Sequence, residues 1–199
     1  MKDVLILIPA AGSSLRMRGG DKLLEKVGGT AQLARVVAAA LDTGQRVLVC
    51  LPPSPGDRDT ILAPLQCERL HILRIPNPRE GMGATLRHAA EQVLTGPPPS
   101  GVMVLPADMP DLKSDDIQMI TSHFAGEPVR ACAEDGRPGH PVILPARMLK
   151  AMTQLRGDQG ARALLEGEEV TRVPLKGQRA LTDLDTPEDW DRWRARTGN

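Results

Sequence analysis

Residues 4–14 read VLILIPAAGSS, an apolar run that passes directly into a loop of small residues. The unbroken run up to Ile8 is typical of a strand that is buried on both faces of a parallel sheet. The loop that follows Pro9 consists of Ala10, Ala11, Gly12, Ser13 and Ser14. Because these side chains are small, the backbone N–H groups of the loop can approach a phosphate group closely. Two cations, Arg16 and Lys22, come next, so the pattern predicts a cradle for a nucleoside triphosphate.

Two common phosphate-binding motifs do not match this cradle. A Walker loop places its lysine between a glycine and a Ser or Thr, whereas Lys22 lies between Asp21 and Leu23. A dinucleotide fingerprint requires three glycines, and Gly12 is the sole glycine of this turn. The cradle therefore belongs to a different class of nucleotide-binding loop.

Apolar strands and amphipathic helices alternate along the rest of the chain. After the first strand, the pattern predicts helices over residues 31–41, 60–65, 82–94, 114–124 and 147–155, with a last helix from Pro187, and strands over 46–51, 71–75, 102–105, 129–133 and 170–175. We expect Asp57 to cap the second helix. This order predicts an α/β fold with a three-layer, doubly wound and mainly parallel sheet, in which ligands bind at the carboxyl ends of the strands. We expect residues 1–199 to form a single domain.

The composition excludes several classes of protein. Acidic and basic residues balance at 25 each, and one Phe, two Trp and no Tyr leave few aromatic platforms for bases, so no nucleic acid partner is expected. No apolar segment is long enough to span a membrane, and the first apolar run is too short for a signal peptide. The three cysteines are odd in number and widely spaced, which predicts reduced thiols in a cytoplasmic protein.

The cradle resembles that of the MobA-like NTP transferase family, which includes molybdenum cofactor cytidylyl- and guanylyltransferases. The resemblance rests on Ala10-Ala11-Gly12, Ser14, Arg16-Met17 and the following Asp21-Lys22-Leu23-Leu24. It implies a Rossmann-like nucleotidyltransferase fold and transfer of a nucleotidyl group with release of pyrophosphate. It also implies that residues 10–14, Arg16 and Lys22 bind the nucleotide, and that Arg16 and Lys22 act in catalysis.

A later segment, residues 77–86, extends the resemblance. It reads N-x-x-x-G-M-x-x-T-L, where related cytidylyltransferases have Ser in place of Thr85, so the hydroxyl is kept. The resemblance implies that Asn77 and Thr85 belong to the nucleotide pocket. Asn77 offers both a donor and an acceptor, as reading a pyrimidine edge requires. For either residue alone, a role in capping and turning the chain is an equally good interpretation.

Acidic residues follow two segments in positions that suit a metal ion. Asp108 comes just after an apolar strand, where a carboxylate can hold a nucleotide-bound Mg²⁺, and the resemblance assigns it that role and a role in catalysis. Asp111 competes with it, but we expect Asp111 to cap the following turn. Asp183 and Asp185 would share one face of a strand, and we favour Asp185 as the second ligand. Capping of the last helix is the alternative for Asp185.

Two glycine-rich segments are candidates for the site that binds the acceptor, the molecule that receives the nucleotidyl group. Residues 136–144 contain G-x-x-G-H-P-V, which the resemblance implies to be the wall on the pterin side, and we expect residues 125–185 to shape the acceptor site. His140 is expected to fix this loop, because an acceptor phosphate is already an anion and needs no general base. Residues 157–162 resemble the family's G-D-x-G-A-R segment, with Asp158 as a helix N-cap.

The nucleotide is predicted from Ala11. Guanylyl enzymes of the family usually have A-G-G where this chain has Ala10-Ala11-Gly12, so the sequence favours transfer of CMP from CTP to the phosphate of molybdopterin, with Mg²⁺ as cofactor. A guanylyltransferase using GTP, a cytidylyltransferase for another phosphorylated small molecule, and a carrier of molybdenum cofactor remain alternatives. A molybdenum hydroxylase apo-enzyme is a further partner that the resemblance allows. Retention of Lys22, Asp108 and Asp185 favours an enzyme over a carrier.

Overall fold

A seven-stranded sheet runs through the computed structural model, which describes residues 2–199. The strands are β1 (Val4–Pro9), β2 (Lys26–Val27), β3 (Thr30–Ala31), β4 (Val47–Leu51), β5 (Leu70–Arg74), β6 (Gly101–Val104), β7 (Val129–Cys132), β8 (Pro138–Pro145) and β9 (Thr171–Pro174). The helices are α1 (Gln32–Asp42), α2 (Asp57–Leu62), α3 (Met82–Val93), α4 (Ser114–His123), α5 (Leu149–Met152) and α6 (Pro187–Thr197).

The strand order is β5-β4-β1-β6-β8-β7-β9, and β2 pairs with β3 in a separate hairpin. Within the large sheet only β8 runs against the other strands of the described chain, pairing antiparallel with both β6 and β7. The parallel pairs β1–β4, β1–β6, β4–β5 and β7–β9 account for the rest. The predicted fold, a doubly wound and mainly parallel sheet, is confirmed.

The core lies in two layers, one on each face of this sheet. Along β1, Ile6 packs with α1, α2 and α4 on one face, while Leu7 packs with α3 and α5 on the other. Because helices cover both faces, neither side of the strand tolerates polar residues. This explains why the strand is an unbroken apolar run.

Two local predictions are wrong. Helix α2 begins at Asp57 and has Gly56 as its N-cap, where the Gly56 N–H donates to Asp59 Oδ2 at 2.9 Å. Asp59, two residues further on, therefore supplies the capping carboxylate. The helix predicted over 147–155 is a 3₁₀ turn, Ala146–Met148, followed by the short α5.

The last helix, α6, packs against the cradle. Trp190 and Trp193 are buried in a small cluster with Met17, Val27 and Leu184. Thr186 caps α6 in a reciprocal capping box with the residue three positions on, so the alternative role of Asp185 as the cap is wrong. Among residues 2–199, no helix combines the length and the apolar character that crossing a bilayer requires.

Candidate active site

A cavity of about 670 Å³ opens at the carboxyl ends of β1 and β6. Ten of the predicted site residues line it: Ala10, Ala11, Gly12, Ser13, Ser14, Arg16, Lys22, Thr85, Asp108 and Asp185. Asn77 is exposed and is not part of the lining, although Pro78 and Arg79, which follow it, are. The nucleotide contact of Asn77 thus stays a prediction that this geometry does not support.

The small-residue loop keeps open space above its backbone. The side chain of Ala10 packs into the core beside α1, and that of Ala11 into the core beside α3, so both alanines anchor the loop. A Cβ atom added to Gly12 would meet no atom within 4 Å. Room therefore remains at Gly12 for a ligand to approach the backbone.

Arg58 of α2 holds this loop in place, and the sequence patterns did not identify it as a site residue. Its guanidinium donates to both Asp21 carboxylate oxygens, at 2.7 and 2.8 Å, to the Ala10 carbonyl at 2.6 Å and to Ser14 Oγ at 3.3 Å. Burial acts to raise the pKa of Asp21, but the hydrogen bonds from Arg58, the Leu23 N–H and Ser14, together with the Arg58 charge, outweigh it and the pKa is lowered. No local motif marks Arg58, because its partners lie far away along the chain.

The predicted catalytic side chains meet at one point. Lys22 Nζ lies 2.6 Å from Asp108 Oδ2 and 2.6 Å from Asp185 Oδ1, and Arg16 Nη1 lies 2.9 Å from Asp185 Oδ2. Burial of the Lys22 ammonium acts to lower its pKa, but the two carboxylates more than offset this, and the pKa is raised. Lys22 therefore stays charged at neutral pH, between the two carboxylates.

Asp185, and not Asp183, lies in the cavity. The segment around Leu184 is not a strand; the Leu184 N–H donates to the Asp108 carbonyl at 3.0 Å, and its side chain is buried. The prediction that both carboxylates share a strand face is therefore wrong, since this backbone bond fixes the segment beside Asp108. Burial raises the pKa of Asp183, and the charges of Asp108 and Asp185 add to this.

Asp111, the competing carboxylate, has a structural role. It accepts hydrogen bonds from Trp193 Nε1 at 2.8 Å and from Arg196 Nη2 at 3.0 Å, and so ties α6 to the end of β6. The expectation that it caps the following turn is wrong. At the start of α4 the capping carboxylate is Asp116, which accepts from the Lys113 N–H at 3.0 Å.

A second loop, residues 156–158, closes the cavity from the side of α3. The Gly83 N–H donates to the Gly157 carbonyl at 2.8 Å, and a Cβ at Gly83 would lie 2.7 Å from the Arg156 carbonyl oxygen. This close approach brings Asp158 into the cavity lining. The prediction of Asp158 as an N-cap is wrong, because Gly160 holds that position before the 3₁₀ turn Ala161–Leu165.

His140 is half-buried in the wall predicted for the acceptor, residues 136–144. Its backbone N–H donates to the Ala180 carbonyl at 2.9 Å, which anchors the loop. Burial lowers the pKa of His140, the Arg130 charge lowers it further, and Asp108 opposes both. The imidazole is therefore neutral at pH 7, in line with a part in shaping the loop.

The cavity suits a divalent cation that is shared with a polyphosphate. Residues 2–199 contain no group of three or more His, Cys, Asp or Glu side chains arranged to hold a metal by themselves. Three cations, Arg16, Lys22 and Arg79, face three carboxylates, Asp108, Asp158 and Asp185, so the lining does not neutralise a triphosphate. Asp108 Oδ1 is buried and has no hydrogen-bond partner within the described chain. Asp108 and Asp185 could hold such an ion if phosphates and water supplied its other ligands.

Comparison with solved structures finds the same fold in several other proteins. Rv0371c from Mycobacterium tuberculosis H37Rv superposes with a TM-score of 0.80 at 23% identity, over 96% of both chains. Its complex with manganese gives a TM-score of 0.75 at 20% identity, over 96% of this chain and 97% of that one. CMP:2-keto-3-deoxy-manno-octonic acid synthetase complexed with CTP gives 0.74 at 15% identity, over 99% of each chain. At these identities the likeness establishes the fold alone.

The family follows from the sequence itself. No curated protein matches the chain. The sequence model of the MobA-like NTP transferase domain matches residues 6–173, which is most of the chain. This protein therefore belongs to the MobA-like NTP transferase family and is a nucleotidyltransferase.

Proposed function

We propose that this nucleotidyltransferase transfers CMP from CTP to the phosphate of molybdopterin, with Mg²⁺ as cofactor, and releases pyrophosphate. The observation that carries the proposal is the meeting of Lys22, Asp108 and Asp185 beside an open small-residue loop. Cations and carboxylates so arranged suit phosphate chemistry with a metal ion, which a protein that only carries a cofactor would not need.

The reaction needs positioning and charge, and no general base. A phosphate monoester is already an anion at neutral pH, so its oxygen can form the new bond to the α-phosphorus while the bond to pyrophosphate breaks. Backbone N–H groups of residues 10–14 would bind the triphosphate, and Arg16 and Lys22 would offset charge on the departing pyrophosphate. Asp108 and Asp185 would hold Mg²⁺, which supplies charge neutralisation at the phosphates.

The choice of CTP over GTP rests on Ala11. Guanylyl members of the family usually have glycine there, and in this chain the Ala11 side chain is buried in the core under the loop.

We place the reaction in the cytoplasm, in keeping with the free cysteines Cys50, Cys67 and Cys132, and expect a molybdenum hydroxylase apo-enzyme to receive the product. A guanylyltransferase and a cytidylyltransferase for another phosphorylated small molecule are the competing candidates.

Pyrophosphate release tests the proposal. The protein is incubated with Mg²⁺ and molybdopterin, with either CTP or GTP, beside the variants Asp108→Asn and Asp115→Asn; Asp115 is an exposed carboxylate of α4 and serves as the matched control. We expect release with CTP alone, lost in Asp108→Asn and kept in Asp115→Asn. Release with GTP alone would assign the guanylyl reaction. Tight molybdopterin binding without release from either nucleotide would favour a carrier.

A further inference from the structure

Three arginines lie together on one face of the sheet, away from the nucleotide loop. Arg130 of β7 is directly opposite Arg172 of the parallel strand β9. Their neighbour Val173 packs into the core beside α1, so both arginines point to the opposite face of the sheet, where α3 and α5 lie. Arg162 belongs to the 3₁₀ turn Ala161–Leu165, which packs on that same face. The three residues are called the arginine cluster below.

No carboxylate of the described chain forms an ion pair with the arginine cluster. Within residues 2–199, none of its members forms a salt bridge, and Arg130 alone makes a side-chain hydrogen bond, to the Gly139 carbonyl at 2.9 Å. By contrast Arg147, an exposed arginine near the start of α5, is paired with both Glu127 and Glu168. Burial lowers the pKa of Arg130, and the charges of the other two cluster members lower it further. Like charges gathered without a counter-ion are typical of a binding site for an anion.

The cluster is joined to the active site by one loop. Arg130 donates a hydrogen bond to the Gly139 carbonyl. The charges of Arg130 and Asp108 both act on the pKa of the next residue, His140. The strand order places them in space: Asp108 follows β6, His140 lies on the adjacent strand β8, and the cluster begins on β7 beyond it. An acceptor whose phosphate lies at Asp108 and whose body passes His140 would bring a group remote from that phosphate to the cluster.

We propose that Arg130, Arg162 and Arg172 bind an oxyanion that the acceptor carries apart from its attacking phosphate. Guanidinium groups present planar pairs of N–H donors that match the oxygens of such anions. The link to the acceptor rests on the proposed transfer reaction, and the affinity of the cluster for an oxyanion does not. In the proposed acceptor these oxygens belong to the molybdenum that the dithiolene holds.

The first experiment needs no acceptor. Sodium molybdate, and sodium sulfate as a second tetrahedral oxyanion, are titrated into the full-length protein while the arginine Nε–H resonances are followed by NMR. The variants are Arg162→Gln and Arg172→Gln, since both side chains are exposed and make no hydrogen bond in the described chain, so the fold is preserved. Lys150→Gln, an exposed cation of α5 on the same face, is the control for loss of one charge.

We expect molybdate to shift the Arg130 Nε–H resonance, with binding weakened about tenfold in each arginine variant and unchanged in Lys150→Gln. An Arg130 resonance that does not respond to either oxyanion overturns the proposal. So does equal affinity in the wild type and both arginine variants.

The second experiment measures KM with CTP, Mg²⁺ and molybdenum-loaded molybdopterin. Arg162→Gln and Arg172→Gln should raise the KM for the acceptor about tenfold and leave that for CTP unchanged. A rise in the KM for CTP instead would assign the cluster to the nucleotide and overturn the proposal. Oxyanion binding at the cluster in a protein that transfers no CMP to molybdopterin would support the anion site and refute the proposed function.

Discussion

Replacing Arg58 by Ala tests whether one buried guanidinium holds the phosphate loop together. Only 8% of its side chain is exposed, and it makes four hydrogen bonds, two of them to Asp21. Its removal leaves the Asp21 carboxylate and the Ala10 carbonyl without their partner. Since the Asp21–Arg58 pair ties the loop to the residue before Lys22, the change should also weaken nucleotide binding.

The size of the expected stability loss follows from how deeply the Asp21–Arg58 pair is buried. Breaking a buried ion pair by removing one partner costs about 3–5 kcal/mol. Because 24% of the Asp21 side chain remains exposed, water can solvate part of the carboxylate, and we expect a loss of about 3 kcal/mol in the free energy of unfolding. The matched control is Arg74→Ala, whose partner Asp59 also lies on α2 and whose side chain is 35% exposed. There the loss should be about 1 kcal/mol or less.

Urea denaturation of both variants at several pH values measures these losses. The pKa of Asp21 is lowered from 3.8 in the folded protein, so its stabilisation is fully present above pH 3.8 and disappears as the pH falls through the folded pKa. The cost of Arg58→Ala should therefore be constant near neutral pH and shrink in acid. A loss no larger than that of Arg74→Ala, or one that persists undiminished in strong acid, would refute the reasoning.

Three further predictions concern the cavity and its walls. Asp185→Asn should lower kcat at least about a hundredfold, and Asp183→Asn far less, in a steady-state assay with CTP, because Asp185 alone of the two contacts Lys22. His140→Gln should reduce the loss of stability in acid. The pKa of His140 is lowered from 6.5, so the wild type loses stability as the pH falls below that value. Denaturation curves at two pH values should therefore differ less in the variant than in the wild type. Gly83→Ala should cost about 1–3 kcal/mol in urea denaturation, because its Cβ would lie 2.7 Å from the Arg156 carbonyl; an unchanged midpoint would contradict the close packing.

Much of the fold could be predicted from local patterns. The strands β1, β4 and β6 are apolar throughout, because helices cover both of their faces, and the helices between them carry a periodic apolar stripe. Errors occurred where a single hydrogen bond decides an element's boundary. Asp57 resembles a cap in the sequence, yet Asp59 makes the capping bond; Asp158 resembles a cap as well, yet contact with Gly83 turns its loop into the cavity.

The candidate site, like the fold, was predictable only in part from local patterns. Sequence motifs identified the small-residue loop, Lys22 and Asp108, because they follow the ends of apolar strands. Parallel strands bring those ends to one edge of the sheet. Asp185 could be named, but the reason given for it was wrong, since a backbone bond from Leu184 to Asp108 and not strand alternation puts it there.

Local sequence therefore determined the order of elements and the chemistry of the loop, both of which depend on residues close together in the chain. Tertiary structure alone decided which distant side chains meet. Arg58 reaches a loop far away in sequence, and Arg130 and Arg172 become neighbours only when β9 pairs with β7. Such contacts depend on how whole elements pack, and periodicity or a motif within one segment carries no information about them.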